Sequence, residues 1–141
     1  ITVEEGVEYT FVDIDLFANK VANWALQKGF KQKYAVALML LNRPELFSFW
    51  YGLSKIGLVT GLINTNLTGN VLVHAVNVVV KESNQKYLII DDCLRNELQE
   101  DLLTFQNMNI VVLFWTDFMR EVNDCSTTRP SKLCRSTIKE N

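Results

Sequence analysis

The chain has 141 residues, 48% of them hydrophobic and 21% charged, an ordinary globular composition that excludes disorder for most of its length. Its net charge of −2, with lysines and arginines dispersed, excludes the basic footprint of a nucleic-acid binder and a polybasic membrane patch. Three cysteines without CxxC spacing and a single histidine, His74, argue against a disulfide framework and an ordinary zinc site.

The first recognisable element is a helix over "YTFVDIDLFANKVANWALQKG", Tyr9 to Gly29. Ile14, Phe17, Ala18, Val21 and Ala25 recur at helical spacing and form one apolar stripe. Thr10 is placed to cap its start, with Asp13 three residues on, and Gly29 stands where a left-handed C-cap is wanted. "YAVALMLL", Tyr34 to Leu41, is a continuous apolar run with no polar face, which suits a strand buried on both sides.

"NRPELFSFWYGLSKIG" reads as the second helix, with Asn42 as cap, Pro44 in the first turn and Glu45 at the positive end of the helix dipole. Leu58 to Ile63 then reads as a second buried strand. The span from Leu46 to Ile63 is nearly uncharged and about long enough to cross a bilayer. Lys55 in its middle, together with Gly52, Gly57 and Gly61, favours a buried helix followed by a strand instead.

"TGNVLVHAVNVVVKES" divides two signals. Its valines favour strand by propensity, whereas Leu72, Ala75 and Val79 would line one face of a helix capped by Thr68. The helix is the expectation adopted. "KYLIID" is a third strand. "DDCLRNELQEDLLTF" is a helix with acids in its first turn and a Leu94, Leu98, Leu102, Phe105 stripe. Asn109 to Trp115 is a fourth strand. From Glu121 on the pattern breaks: large apolar residues become scarce, and a disordered or loosely held tail is expected. Helices alternating with buried strands predict an α/β fold, a partial doubly wound parallel sheet.

In such sheets ligands bind beyond the carboxyl ends of the strands. Those ends here carry Asn42-Arg43, Asn64-Thr65-Asn66, Asp91-Asp92 and Thr116-Asp117. Asn64, Thr65 and Asn66 are the candidate crevice-lining residues. Asp91 and Asp92 could suggest metal or acid–base work, but a helix start prefers acids for its own reasons. No glycine-rich phosphate motif and no nucleophile elbow is present. No catalytic, cofactor-binding or metal residue is assigned. Asn66-Leu67-Thr68 matches a glycosylation sequon and reads as incidental.

From about Tyr9 to Ala75 the text becomes specific. "YTF" with "NKVAN", then "VAL", "NRPE", a W-x-GL-x-KIG pattern carried by Trp50 to Gly57, "INTNL" and "LVH" follow one another in order. This region resembles the N-terminal region of the fatty acid transport proteins, which are also very long-chain acyl-CoA synthetases of the adenylate-forming superfamily. "KYLIID" continues the likeness to about Asp91. The resemblance implies a two-step ligase in the full-length parent. A fatty acid carboxylate attacks ATP to give an acyl-adenylate and pyrophosphate, with Mg2+ offsetting phosphate charge, and coenzyme A (CoA) then displaces AMP. It also implies a long-chain fatty acid substrate, coupling to fatty acid transport, and association with the endoplasmic reticulum or plasma membrane, the catalytic region facing the cytosol.

The family's phosphate-binding loop, rich in Ser, Thr and Gly, should come after this region. "STTRPSK", Ser126 to Lys132, is only superficially like it and has no glycine to let backbone approach phosphate. Lys33-Tyr34 stands where the family has Gly-Asp, and Thr68 where it often has a basic residue. The chain also begins at Ile1. The expectation is therefore a fragment lacking the remainder of the synthetase domain. It divides into an N-terminal extension (1–8), an α/β subdomain (9–118) and a divergent tail (119–141). Alone it should be inactive and bind neither ATP, Mg2+ nor CoA tightly. A non-catalytic α/β interaction or lipid-binding module is the alternative.

Overall fold

A computed structural model describes residues 11–31, 33–41 and 45–128. The expected caps Thr10 and Asn42, Pro44, Cys134 and the N-terminal extension lie outside these residues. The elements run α1 (Phe11–Gln27), β1 (Ala35–Met39), α2 (Glu45–Ser54), β2 (Val59–Leu62), α3 (Gly69–Val80), β3 (Tyr87–Ile90), a 3-10 turn (Asp92–Leu94), α4 (Gln99–Asn107), β4 (Val111–Phe114) and α5 (Trp115–Asn123). The four strands form one parallel sheet in the order β2-β1-β3-β4.

Strand side chains alternate between the two faces of a sheet, so each central strand serves two cores. Val36, Leu38 and Ile89 face α1, α2 and α5, where they meet Val21, Trp24, Phe49, Leu53 and Phe118. Ala37, Met39, Leu88 and Ile90 face the opposite way, against Leu72, Val76 and Val80 of α3 and Phe105 of α4. The result is three layers with helices on both faces, the doubly wound arrangement expected from the alternation of elements.

Three of the joints between helix and strand are built alike. Gly29 ends the α1 segment at φ +84°, and the amide of Phe30 donates to the carbonyl of Ala25 at 3.2 Å. Gly57 does the same after α2 at φ +79°, with Leu58 donating to Leu53 at 3.0 Å. After α4, Asn109 takes the left-handed position at φ +63°, and Ile110 donates to Phe105 at 3.0 Å. This bond five residues back, across a left-handed residue, is the Schellman closure of a helix. The residue after each left-handed position, Phe30, Leu58 or Ile110, is buried, which is the apolar contact the motif favours.

Two glycines set how closely helices approach. A Cβ at Gly52 would lie 2.5 Å from the Ala18 carbonyl oxygen and 3.0 Å from Val21 Cβ, so α2 touches α1 through bare backbone. A Cβ at Gly61 would meet Val79 Cγ1 within van der Waals contact, so β2 receives α3 in the same way.

Several expectations need correction. β2 is an edge strand and not a doubly buried one: Val59 is 53% and Leu62 64% exposed. Its apolar run matches β1 in composition, but only β1 has a neighbour on both sides. The ambiguous valine-rich segment is a helix, and its inward face is Leu72, Val76 and Val80, with Ala75 and Val79 flanking it. The third βα step does not start a helix at Asp91. A 3-10 turn intervenes and α4 begins at Gln99. Leu94, Leu98 and Phe105 nonetheless share one core, because the broken segment keeps the same side inward.

The largest correction concerns the end of the sheet. β4 stops at Phe114, and Trp115 begins α5 with no loop between. Trp115, Phe118 and Val122 are buried, and Met119 packs against the same core. Residues 115, 118, 119 and 122 carry the helical spacing in full. Reading Trp115 as strand hid it. α5 therefore crosses the expected boundary at 118/119, and chain that was expected to be tail, through Thr128, packs onto α1.

Gly52→Ala should lower the unfolding free energy by about 1–3 kcal/mol, because the added methyl must displace main chain at Ala18 and not a flexible side chain. Chemical denaturation checks this. A neutral result would mean that α2 is free to shift off α1.

Candidate functional site

The carboxyl ends of four parallel strands lie along one end of the sheet. β1 connects onward to β2 on one side, while β3 lies on its other side, so the strand order reverses between β1 and β3. That is the place where open α/β sheets leave a crevice.

Asp91 occupies it. Its side chain is 2% exposed. One carboxylate oxygen accepts the Leu41 amide at 3.3 Å, just past the end of β1, and the other accepts the Cys93 amide at 3.2 Å. The Asp91 amide donates to the Met39 carbonyl at 2.9 Å, continuing the ladder between β1 and β3. Asp91 thus caps the 3-10 turn and ties two strand ends together. Asp92 does the same for β3 and β4: its Oδ1 accepts the Thr116 amide at 2.8 Å. Arg95 lies 3.9 Å from the other Asp92 oxygen and stacks over the Phe114 ring, with its guanidinium carbon 3.7 Å from the centroid. The adjacent acids are committed to main-chain amides at the start of a 3-10 turn, not of the expected helix.

Asn64, Thr65 and Asn66 stand at the end of β2, the outermost strand on that side. Asn64 Oδ1 accepts the Asn66 amide at 2.9 Å and the Asn64 carbonyl accepts the Leu67 amide at 3.2 Å, a compact Asx turn. Asn64 and Asn66 are exposed and Thr65 is half-buried. Thr68 takes the N-cap position of α3 without making the side-chain bond. The Gly69 amide is instead accepted by Asp101 of α4 at 3.1 Å. The structure brings Asp91 to Leu41 and Asp92 to Thr116, and places the asparagines in their own turn. His74 is exposed, Cys93 exposed and Cys125 buried.

The Asp91 and Asp92 carboxylates, already bonded to main-chain amides, do not make a set that fits Mg2+, and no group of three or more metal-ligating side chains occurs among the described residues. Of "STTRPSK", residues Ser126 to Thr128 are described. The Thr128 amide donates to Ser126 Oγ at 2.9 Å.

Sequence reasoning missed two polar clusters. In the first, Lys55 reaches Asp15, donates to Asn19 Oδ1 at 2.7 Å and sits 4.8 Å from the Tyr51 ring centroid. The signal was visible: a lone lysine in an apolar run must find a partner. In the second, Glu121 of α5 accepts from Trp24 Nε1 and from Lys28 Nζ, both at 3.0 Å. Burial pushes the Glu121 carboxyl up, but the bonds from Lys28 and Trp24 and the lysine's charge outweigh it and hold the pKa below the usual carboxylate range. The same hydrogen bond raises Lys28 against burial. Burial, then the charges of Asp124 and Glu121, raise the Cys125 thiol.

One exposed feature remains. Phe47, Trp50 and Tyr51 form an aromatic face on α2, with ring centroids 5.9 Å apart for Phe47–Trp50 and 6.1 Å for Phe47–Tyr51. Phe47 is 53% and Trp50 51% exposed. Among the described residues, no helix is long and apolar enough to cross a membrane.

With this geometry in hand, the chain can be set beside known proteins. A family model described as AMP-binding enzyme matches residues 1–133. The chain is 42% identical over 67 residues to long-chain fatty acid transport protein 1 of Rattus norvegicus, covering 48% of the chain and 10% of that protein. It is 36% identical over 76 residues to long-chain fatty acid transport protein 6 of Mus musculus, covering 53% of the chain and 12% of that protein. It therefore spans about a tenth of the length of these curated relatives. The N-terminal domain of FACL13 from Mycobacterium tuberculosis superposes with a TM-score of 0.76 at 19% identity, over 90% of this chain and 32% of that one, and so shares the fold.

Lowering pH should weaken the α5 anchorage. A carboxyl with a depressed folded pKa contributes stability that is present above its unfolded value, near 4.5, and is lost as pH falls through the folded value. Tryptophan fluorescence, compared in a Trp50→Phe background so that it reports Trp24 and Trp115, should shift in that window, and Glu121→Gln should flatten the shift. An unchanged titration in the variant would remove Glu121 from this role.

Proposed function

Since the chain belongs to the family of AMP-binding enzymes, we propose that it is the N-terminal portion of a long-chain fatty acid–CoA ligase coupled to fatty acid transport. In the full-length parent, fatty acid, ATP and CoA give acyl-CoA, AMP and pyrophosphate, with Mg2+ as the counter-ion of the phosphates. The observation that carries this reading is the 42% identity over 67 residues to a long-chain fatty acid transport protein. The described parts of the blocks that support it, ending in "INTNL" and "LVH", lie between the start of α1 and α3.

The described residues supply scaffold and no reacting group. Asp91 and Asp92 close strand ends, and the Ser126–Thr128 segment uses its own polar groups locally. The 141-residue chain should therefore be inactive by itself. Incubation with ATP, Mg2+, CoA and oleate should give no acyl-CoA above the protein-free control. Turnover that survives repurification would refute the assignment of the chemistry to the rest of the parent.

Within the parent, Asn64, Thr65 and Asn66 are proposed to line the ligand crevice, because they stand at a strand's carboxyl end. Asn64→Ala in a full-length relative should then change substrate KM with the folded state intact. A loss of stability with unaltered kinetic constants would leave these residues only their turn.

A second reading has one observation in its favour. The exposed Phe47, Trp50 and Tyr51 face suits a non-catalytic lipid-binding or interaction module. Membrane association at the endoplasmic reticulum or plasma membrane, with the catalytic region toward the cytosol, belongs to the proposal for the parent.

A further inference from the structure

Side chains of α1 hold the chain that follows α5. Asn23 Nδ2 donates to the carbonyls of Ser126 and Thr128, each at 2.8 Å. Asn19 Nδ2, one turn earlier on the helix, donates to the Thr127 carbonyl at 3.0 Å. The Thr128 amide closes on Ser126 Oγ at 2.9 Å. The segment thus curls about Asn23 and offers three successive carbonyls to two asparagines on one helix face. All of these bonds to α1 end on main-chain oxygens.

The hold on this segment differs in kind from the hold on α5. Trp115, Phe118 and Val122 anchor α5 by apolar burial, whereas Ser126, Thr127 and Thr128 are exposed and their bonds to α1 are polar. A stretch with few buried apolar contacts opens at lower free energy than the core beneath it. The clamp itself is oriented from the other side. Asn19 is 3% exposed, and its Oδ1 accepts from Lys55 Nζ at 2.7 Å, while its Nδ2 also reaches Asp15 Oδ2 at 3.5 Å. An ammonium only donates, so Lys55 holds the amide oxygen and turns the NH2 group toward Thr127. Lys55 follows α2 directly, so one asparagine serves both the α1–α2 joint and the seat of the segment.

We propose that Ser126–Thr128 is a strap, a separately opening segment closed onto α1 by a main-chain clamp of Asn19 and Asn23, with Lys55 orienting the Asn19 amide. Because the clamp takes carbonyls, it fixes the path of the chain and is indifferent to the side chains at these positions. Opening lifts the strap and loosens the turn before it, where the Cys125 amide donates to the Val122 carbonyl and Cys125 Sγ lies 3.7 Å from Gln27 Oε1. The buried face of α5 stays docked.

The buried Cys125 thiol reports the strap. The full 141-residue chain is labelled with a thiol reagent under native conditions, and peptide mapping separates Cys125 from Cys93 and Cys134. Cys125 should label slowly and the exposed Cys93 fast. Asn23→Ala removes two clamp bonds at a half-buried position, and Asn19→Asp keeps a partner for Lys55 but loses the donor to Thr127. Each should speed Cys125 labelling about tenfold, the scale of one or two modest hydrogen bonds lost from a locally opening unit. Lys55→Met, which leaves the Asn19 amide free to turn, should speed it by a smaller factor. Thr127→Ala should leave the rate unchanged, since the clamp takes its carbonyl. Hydrogen exchange at β1 and β3 should be the same in every variant. A Cys125 rate that neither asparagine variant alters would overturn the proposal, and an unaltered rate in Lys55→Met would remove Lys55 from the clamp. Exchange at β1 that quickens in step with labelling would mean that the segment opens only with the core. An effect of Thr127→Ala as large as that of Asn23→Ala would mean that side chains are read; either result also overturns it.

Discussion

Burial of β1 on both faces is the constraint on which the rest of the molecule depends. Val36 and Leu38 look one way, Ala37 and Met39 the other, and all four are fully buried. A strand in that position can accept no polar side chain on either face and needs a hydrogen-bonded neighbour on each edge. β2 and β3 supply the neighbours. α1, α2 and α5 must cover one face and α3 and α4 the other. Each remaining element is placed by what β1 cannot leave open to water.

The covering helices meet that demand with two devices. Left-handed closures at Gly29, Gly57 and Asn109 turn a helix sharply into the strand after it and bury the next apolar side chain at the bend. Bare backbone at Gly52 and Gly61 lets α2 reach α1 and lets α3 reach β2 at distances a side chain would prohibit. Between α1 and α2 the packing admits a charge, Lys55, only because Asp15, Asn19 and the Tyr51 ring receive it. A half-buried ammonium with those partners ties the two helices to one register more than it adds net stability.

At the carboxyl ends of the strands, the adjacent acids are tied to main chain. Asp91 sits where the strand order reverses, the usual crevice of such folds, and its oxygens are already bound to amides. A carboxylate in that state organises strand ends. The asparagine-rich corner was legible as a turn because Asx chemistry is local: a side chain bonding two residues ahead needs no partner elsewhere in the chain. The distant partners of Lys55, Glu121 and Asn23 were not legible, although Lys55 itself called for one. Lys55 bonds Asn19 36 residues away, Trp24 bonds Glu121 97 away and Asn23 bonds Thr128 105 away, and no local pattern announces such a pair.

By itself the sequence determined the class of fold and part of the membership of its cores. Period and residue type are local quantities, and they marked α1, β1, α2, the Leu94 to Phe105 stripe and the glycines at the helix ends. The ordered blocks from Tyr9 to Ala75 likewise marked the family. Tertiary structure alone decided what depends on neighbours. It made β2 an edge and β1 a centre although both read as apolar runs. It turned the inward face of α3 to Leu72, Val76 and Val80. It drew Trp115, Phe118 and Val122 into a fifth helix where strand and tail were expected, because the face of the sheet beside Trp24 and Phe49 had to be covered. Local spacing shows which side chains avoid water, but only the assembled layers show which surface they meet.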